Sequence, residues 1–102
     1  MVINKVNDWT IINGTSLKGY TGKITRRKLE QVFGLPEQYG EGDKVTTEWI
    51  FTIDNEVGTI YDWKRYEQGA PDLDEPYDWH IGGQNDKIVK LIQRAITKSE
   101  VK

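Results

Sequence analysis

The chain contains no cysteine, which removes disulfides, thiol catalysis, iron–sulfur clusters and thiolate zinc sites together. A single histidine, His80, is too little for a nitrogen-rich metal site. With 3 prolines and 10 glycines in 102 residues, the composition is not that of a linker or a disordered chain. No stretch of about 18 apolar residues occurs, so no membrane-spanning helix is expected. The first thirty residues lack the basic, then apolar, then small-residue order of a signal peptide, which points to a cytosolic protein. Neither charge sign dominates: 14 Lys and Arg against 16 Asp and Glu give a formal charge of −2, whereas a non-specific nucleic-acid binder needs a basic excess to displace counterions.

The hydrophobic share of 36% and charged share of 29% are those of a soluble globular protein, and the length is that of one domain, residues 1–102. The near-neutral balance hides a segregation. From Trp9 to Leu29 the charged residues are Lys18, Lys23, Arg26, Arg27 and Lys28, all basic; from Glu67 to Asp78 they are Glu67, Asp72, Asp74, Glu75 and Asp78, all acidic. The ordinary explanation is two solvated faces, or two patches that meet within the fold or across an oligomer. The functional alternative makes the basic half an anion site.

Periodicity gives the elements. Trp9–Asn13 is β-branched and stops at Gly14, which predicts a short strand, followed by a loop containing Thr15, Ser16, Gly19 and Gly22. Thr25 can cap a helix carrying Leu29, Val32 and Phe33 on one face, stopped by Gly34 and Pro36. Its basic first turn opposes the helix dipole, so an anionic partner is one candidate to offset it. Lys44–Ile53 alternates, with Val45, Thr47, Trp49, Phe51 and Ile53 on the expected core face. Asp54, Asn55 and Glu56 turn it into Val57–Trp63 as a hairpin. A long loop from Lys64 to Pro76 leads to a strand containing Tyr77, Trp79 and Ile81, which Gly82 and Gly83 are expected to break. Asn85 caps a second helix, about Asp86 to Lys98, with an apolar stripe of Ile88, Val89, Leu91, Ile92, Ala95 and Ile96. Only the last few residues look frayed.

The order strand, helix, three strands, helix implies an α+β fold: a mainly antiparallel sheet of about four strands with two helices packed on one face. The other face is expected to expose Thr46, Glu48, Ile50, Asp62, Asp78 and His80. Such a mixture suits solvent, a subunit interface or a ligand.

Catalytic chemistry has little to build on. Ser16 and Ser99 are the only serines, and neither lies in a G-x-S-x-G turn. His80 with Glu48 or Asp62 would make a general acid/base pair only if neighbouring strands aligned them. The acidic run Asp72, Asp74 and Glu75 lacks the glycine and distal glutamate of a calcium loop, and is a solvated turn or an imitation of nucleic-acid phosphates for a protein partner. Gly82-Gly83 before a helix allows an anion to approach the backbone, but no phosphate-binding glycine motif surrounds it. The aromatic content, 11% with 4 Trp and 5 Tyr, is the strongest compositional clue. Trp49, Phe51, Phe33 and Trp79 are expected in the core. Tyr20, Trp63 and Tyr66, beside Lys18, Lys64 and Arg65, are placed to stack on a nucleobase with a phosphate nearby.

Three phrases then stand together: TSLKGY at Thr15 to Tyr20, KVTTEWIFTI…TIYDWK from Lys44 to Lys64, and DWHIGG at Asp78 to Gly83. In this order, with FGLPEQYGEGDK between the first two, the chain resembles a family of small proteins encoded by phages and other viruses, over roughly Thr15 to Ile96. The family is associated with sponges for cyclic nucleotide signals of the CBASS anti-phage defence. The resemblance implies a homo-oligomer in the host cytoplasm that sequesters a cyclic dinucleotide such as cGAMP without cleaving it. No enzyme activity, cofactor, metal or membrane association is implied. It further places Lys18, Tyr20, Trp63, Lys64, His80 and Gly82-Gly83 near the ligand, with the acidic insertion Glu67 to Tyr77 departing from the family. A ring with two phosphates has approximate two-fold symmetry, which a two-fold subunit interface can match. The rivals are a protein-binding inhibitor of a host defence nuclease, acting through its acidic face as an anti-CRISPR protein would, and a hydrolase of the nucleotide built on His80 and nearby carboxylates.

Overall fold

Asp54 and Asn55 adopt positive φ angles of 49° and 71°, the left-handed pair required by a tight two-residue hairpin turn and tolerated best by Asp and Asn among non-glycine residues. The turn joins Glu48–Ile53 to Glu56–Tyr61. It also fixes their register, with Ile53 opposite Glu56 and Glu48 opposite Tyr61. In the computed structural model, which describes residues 1–100, the strands in chain order are β1 (Ile3–Lys5), β2 (Ser16–Ile24), β3 (Glu48–Ile53), β4 (Glu56–Tyr61) and β5 (Tyr77–Gly83). They form one sheet in the order β1-β3-β4-β5-β2, antiparallel at every pairing.

Helices α1 (Arg26–Phe33) and α2 (Lys87–Glu100) cover one face. Leu29 and Phe33 of α1, with Ile88, Ile92, Ala95 and Ile96 of α2, pack against Trp49, Phe51, Ile53, Ile60, Trp79 and Ile81. Thr25 caps α1 as expected, its hydroxyl accepting from the Lys28 amide at 3.1 Å, and the Asn85 side-chain oxygen accepts from the Lys87 amide at 2.9 Å ahead of α2. The fold is therefore the α+β arrangement that the pattern implies, with five strands where about four were expected. Among the described residues no helix is long and apolar enough to cross a membrane. α2 continues to Glu100, and the rest of the segment expected to fray, 101–102, lies outside the described residues.

Four local expectations are corrected. Trp9–Ile12 is a 3-10 turn, because Asp8 accepts from the Thr10 amide at 2.9 Å and hydroxyl at 2.6 Å; a capping aspartate outweighs the β-branched residues behind it. The loop expected over Thr15 to Gly22 is most of β2. Its glycines disguise it: a Cβ on Gly19 would lie 3.0 Å from Val89, so the glycine is there to let α2 approach the strand. Lys44 to Thr47 precede β3 rather than belonging to it, since the Thr46 and Thr47 amides bond the Asp62 side chain at 2.7 and 3.0 Å. Lastly, β5 runs through Gly82 and Gly83 instead of breaking there.

The two charged runs meet at one ion pair. Arg27 grips Asp74 with two bonds of 2.6 and 2.9 Å, the Gly22 amide donates to Asp78 at 2.9 Å, and Arg65 reaches Glu75 at 2.8 Å. Arg26 pairs with Glu30 one turn along α1 at 3.1 Å. An exposed pair such as Arg27–Asp74 contributes only about 0.2–1 kcal/mol. The importance of these contacts is positional: Arg27–Asp74 holds the long loop after β4 against α1, and the two arginines of the basic first turn both have carboxylate partners within the fold.

Candidate functional site

Four residues lie directly opposite one another across four strands. Tyr20 of β2 faces His80 of β5, His80 faces Tyr61 of β4, and Tyr61 faces Glu48 of β3. Side chains alternate across a sheet, so this row points away from the helices whenever its neighbours Gly19, Ile81, Ile60 and Trp49 point towards them. The rings touch: Tyr20 and His80 have centroids 4.9 Å apart, and Tyr61 and His80 5.4 Å apart. Trp63, two residues beyond Tyr61, adds a fourth ring 6.2 Å from both Tyr61 and His80. Tyr20 is 47% exposed and Trp63 is 40% exposed; these are rings available to a ligand, whereas Trp49 and Trp79 are sealed in the core.

Beside the row a pocket of about 200 Å³ is lined by Thr15, Ser16, Val45, Glu48, Thr59, Tyr61, Trp63 and Gly82. Gly82 forms part of its floor. A Cβ there would come within 2.7 Å of the Thr59 methyl and 3.4 Å of the Tyr61 ring, so no other residue fits without displacing the wall. Glu48 is only 9% exposed, and its Oε2 accepts from the Thr59 hydroxyl at 2.5 Å. Larger grooves run along the solvent side of α2, lined by Lys90, Gln93, Arg94, Thr97 and Lys98. Long flexible side chains make up those grooves, and no buried polar group or aromatic ring lies in them.

The remainder of this face is less open than expected. Ile50, Thr46, Glu48 and Asp62 are all buried. The 3-10 turn packs against β4, and Val6 donates its amide to the Ile50 carbonyl at 3.3 Å, extending the pairing of β1 along the edge of β3. Asp62 is wholly occupied: besides the two amides it accepts from the Thr46 hydroxyl at 2.5 Å. His80 therefore forms no acid/base pair with either carboxyl. Tyr61 stands between His80 and Glu48, and the Nδ1 of His80 has no hydrogen-bond partner.

Of the residues singled out by sequence, Tyr20, Trp63, His80 and Gly82 come together here. Lys64 adjoins them, its ammonium 5.8 Å from the Trp63 ring centroid, inside the range of a cation–π contact. Lys18 is the extra residue of the bulge between Leu17 and Gly19 and is not part of the row. Gly83 faces the helices, where a Cβ would lie 2.5 Å from Ile88; it is a packing residue. Tyr66 is 59% exposed in the loop after β4 and stacks on none of the four rings. Asp74 and Glu75 are engaged by Arg27 and Arg65, and among the described residues no group of three or more acidic or histidine side chains could hold a metal ion. Tyr61, Thr59 and Val45 were missed. The alternation Val57, Thr59, Tyr61 and the two-residue turn would have placed Tyr61 opposite Glu48; the pairing with His80 is set by strand order, which local pattern does not encode.

Burial governs the titration of the site. It pushes the His80 imidazole below its ordinary 6.5, against the upward pull of Asp78 and Asp62. It raises Glu48 above the usual carboxyl value, with Asp62 and Glu37 adding to the effect and the Thr59 bond opposing it. Tyr61 is raised by burial and by Glu48. A histidine whose folded pKa is depressed takes up its proton first in the unfolded chain, so its contribution to stability is intact above about 6.5 and declines as pH falls through that value towards the folded pKa. The expected result is a melting temperature that drops between pH 7 and 6, a drop made shallower in His80→Gln; a slope unchanged in that variant would show that another group causes it.

Comparison with protein-family models, with curated proteins and with solved structures finds no match, so the resemblance to phage proteins rests on the phrases quoted above.

Proposed function

We propose that the protein binds a nucleotide without transforming it, and that its ligand is a cyclic dinucleotide defence signal such as cGAMP, withheld from its receptor in the cytoplasm of an infected bacterial host. The observation that carries this reading is the set of four touching rings, two of them open to solvent, beside a pocket with a buried carboxyl. Aromatic faces in a concave site suit a base, whose stacking is worth about 1–3 kcal/mol, and Lys64 beside Trp63 suits a phosphate at the rim. A pocket of about 200 Å³ falls below the roughly 300–1,000 Å³ that encloses a drug-sized ligand. It holds one base, and the rest of a cyclic dinucleotide lies over Tyr20 and His80 or enters the same pocket of a second subunit.

The inhibitor reading is less favoured because Asp74 and Glu75, the centre of the acidic run, already have partners within the fold. Hydrolysis is less favoured because His80 has no oriented partner. The test is to mix the protein with cyclic dinucleotides, measure free ligand, then heat-denature the protein and measure again. Disappearance followed by recovery of intact ligand is the expected result. Loss at both steps means an enzyme, and no change at either step contradicts nucleotide binding and leaves a protein target.

A further inference from the structure

We infer that Glu48 makes this pocket selective for guanine over adenine, an inference that rests on the nucleotide reading of the same site. Glu48 is nine-tenths buried yet lines the pocket beside Tyr61 and Trp63. One of its oxygens, Oε2, accepts from Thr59; among the described residues no donor reaches Oε1. Oε1 is open to solvent on the pocket side rather than sealed in the protein, so its acceptor capacity is free for a ligand. The pocket beside it is the direction from which a donor can still come.

The chemistry of the bases then discriminates. The pairing edge of guanine offers two adjacent donors, N1–H and the N2 amino group, to a carboxylate that only accepts. Adenine offers its N6 amino group beside a bare N1, so one oxygen would confront a lone pair. Cytosine has the same mismatch at N3. A site built to receive a donor rejects a ligand lacking it far more strongly than it rejects one of the wrong size. Shape assists: with Gly82 as the floor, a planar ring can lie against the sheet beside Tyr61 and Trp63 with its edge towards Glu48, and the Ser16 hydroxyl at the wall can donate to the guanine O6.

Calorimetric titration of the full chain with GMP, AMP, cyclic di-GMP and cyclic di-AMP tests this. The wild-type protein is expected to bind each guanine ligand at least about tenfold more tightly than its adenine counterpart, the size of effect that one mismatched hydrogen bond produces. Glu48→Gln, which presents one acceptor and one donor and so complements adenine, is expected to erase or invert that preference with an unchanged response to Trp63→Ala. The wild-type comparison does not depend on any variant folding. Equal affinity for guanine and adenine ligands, or a preference for adenine, overturns the role of Glu48 and leaves the nucleotide site standing. A guanine preference that survives in Glu48→Gln also overturns it, since selectivity then lies elsewhere. Failure of all four ligands to bind overturns both the selectivity and the nucleotide reading.

Discussion

Replacing Trp63 or Tyr20 by alanine is expected to weaken nucleotide binding by about 5-fold to 150-fold, the range that 1–3 kcal/mol of stacking per base corresponds to. The same replacements should change stability little. Both rings are substantially exposed, and their removal leaves no cavity under the helices, so a loss below about 1.5 kcal/mol is expected. Trp79→Ala is the natural contrast: its ring is fully buried against Trp49 and Tyr77, and large-to-small changes at such sites cost about 3–5 kcal/mol. Titration and thermal melting on the three variants separate the two effects. A Trp63→Ala protein that binds normally would show that the exposed rings are not the ligand surface. One that unfolds would show that Trp63 belongs to the core.

A comparably large effect on stability is expected at Asp62. Its side chain accepts three hydrogen bonds from the Thr46 amide, the Thr47 amide and the Thr46 hydroxyl, all in a fully buried position. Alanine there leaves those donors unsatisfied, at a cost of about 3 kcal/mol or more. In a domain of this length that lowers the melting temperature by roughly 12–24 °C, since each kcal/mol shifts it by about 4–8 °C. Asparagine should rescue much of this, because its Oδ1 can keep both backbone amides and its amino group replaces only the oxygen that accepts from the Thr46 hydroxyl. The effect reaches the site as well. Val45, a wall of the pocket, directly precedes the pinned threonines, and Trp63 directly follows Asp62. Weakened nucleotide binding well below the melting temperature is therefore expected alongside the loss of stability. A melting temperature within a few degrees of wild type would mean that the segment before β3 is held by other contacts.

Elements whose side chains repeat with the period of their own backbone were readable from the sequence. The stripe of α2, the Thr25 cap of α1 and the alternation of Trp49, Phe51 and Ile53 all reappear in the core. Where glycine or a side-chain bond replaced that periodicity, the reading went astray. β2 hides behind Gly19 and Gly22, and Gly82 and Gly83 looked like punctuation because a strand squeezed between Ile88 on one face and Thr59 on the other must shed its side chains. Within the candidate site, Tyr20, Trp63 and His80 stood out as aromatic or titratable residues beside charges. Their common partner Tyr61 did not, since its importance lies in facing His80 and Glu48 at once, a property of strand order rather than of neighbouring letters. The charge segregation was visible, and the pair that joins its two halves was not: Arg27 and Asp74 are 47 residues apart in the chain and meet only after folding.

Two-dimensional NMR of the labelled protein, followed through a titration with cGAMP, addresses the central assignment without altering any residue. Ligand-induced shifts concentrated at Tyr20, Glu48, Tyr61, the Trp63 indole, His80 and Gly82, with Lys90, Arg94 and Lys98 undisturbed, are the result expected of a base seated on the sheet. Shifts confined to the exposed side of α2, or a spectrum that does not change at saturating ligand, would contradict it.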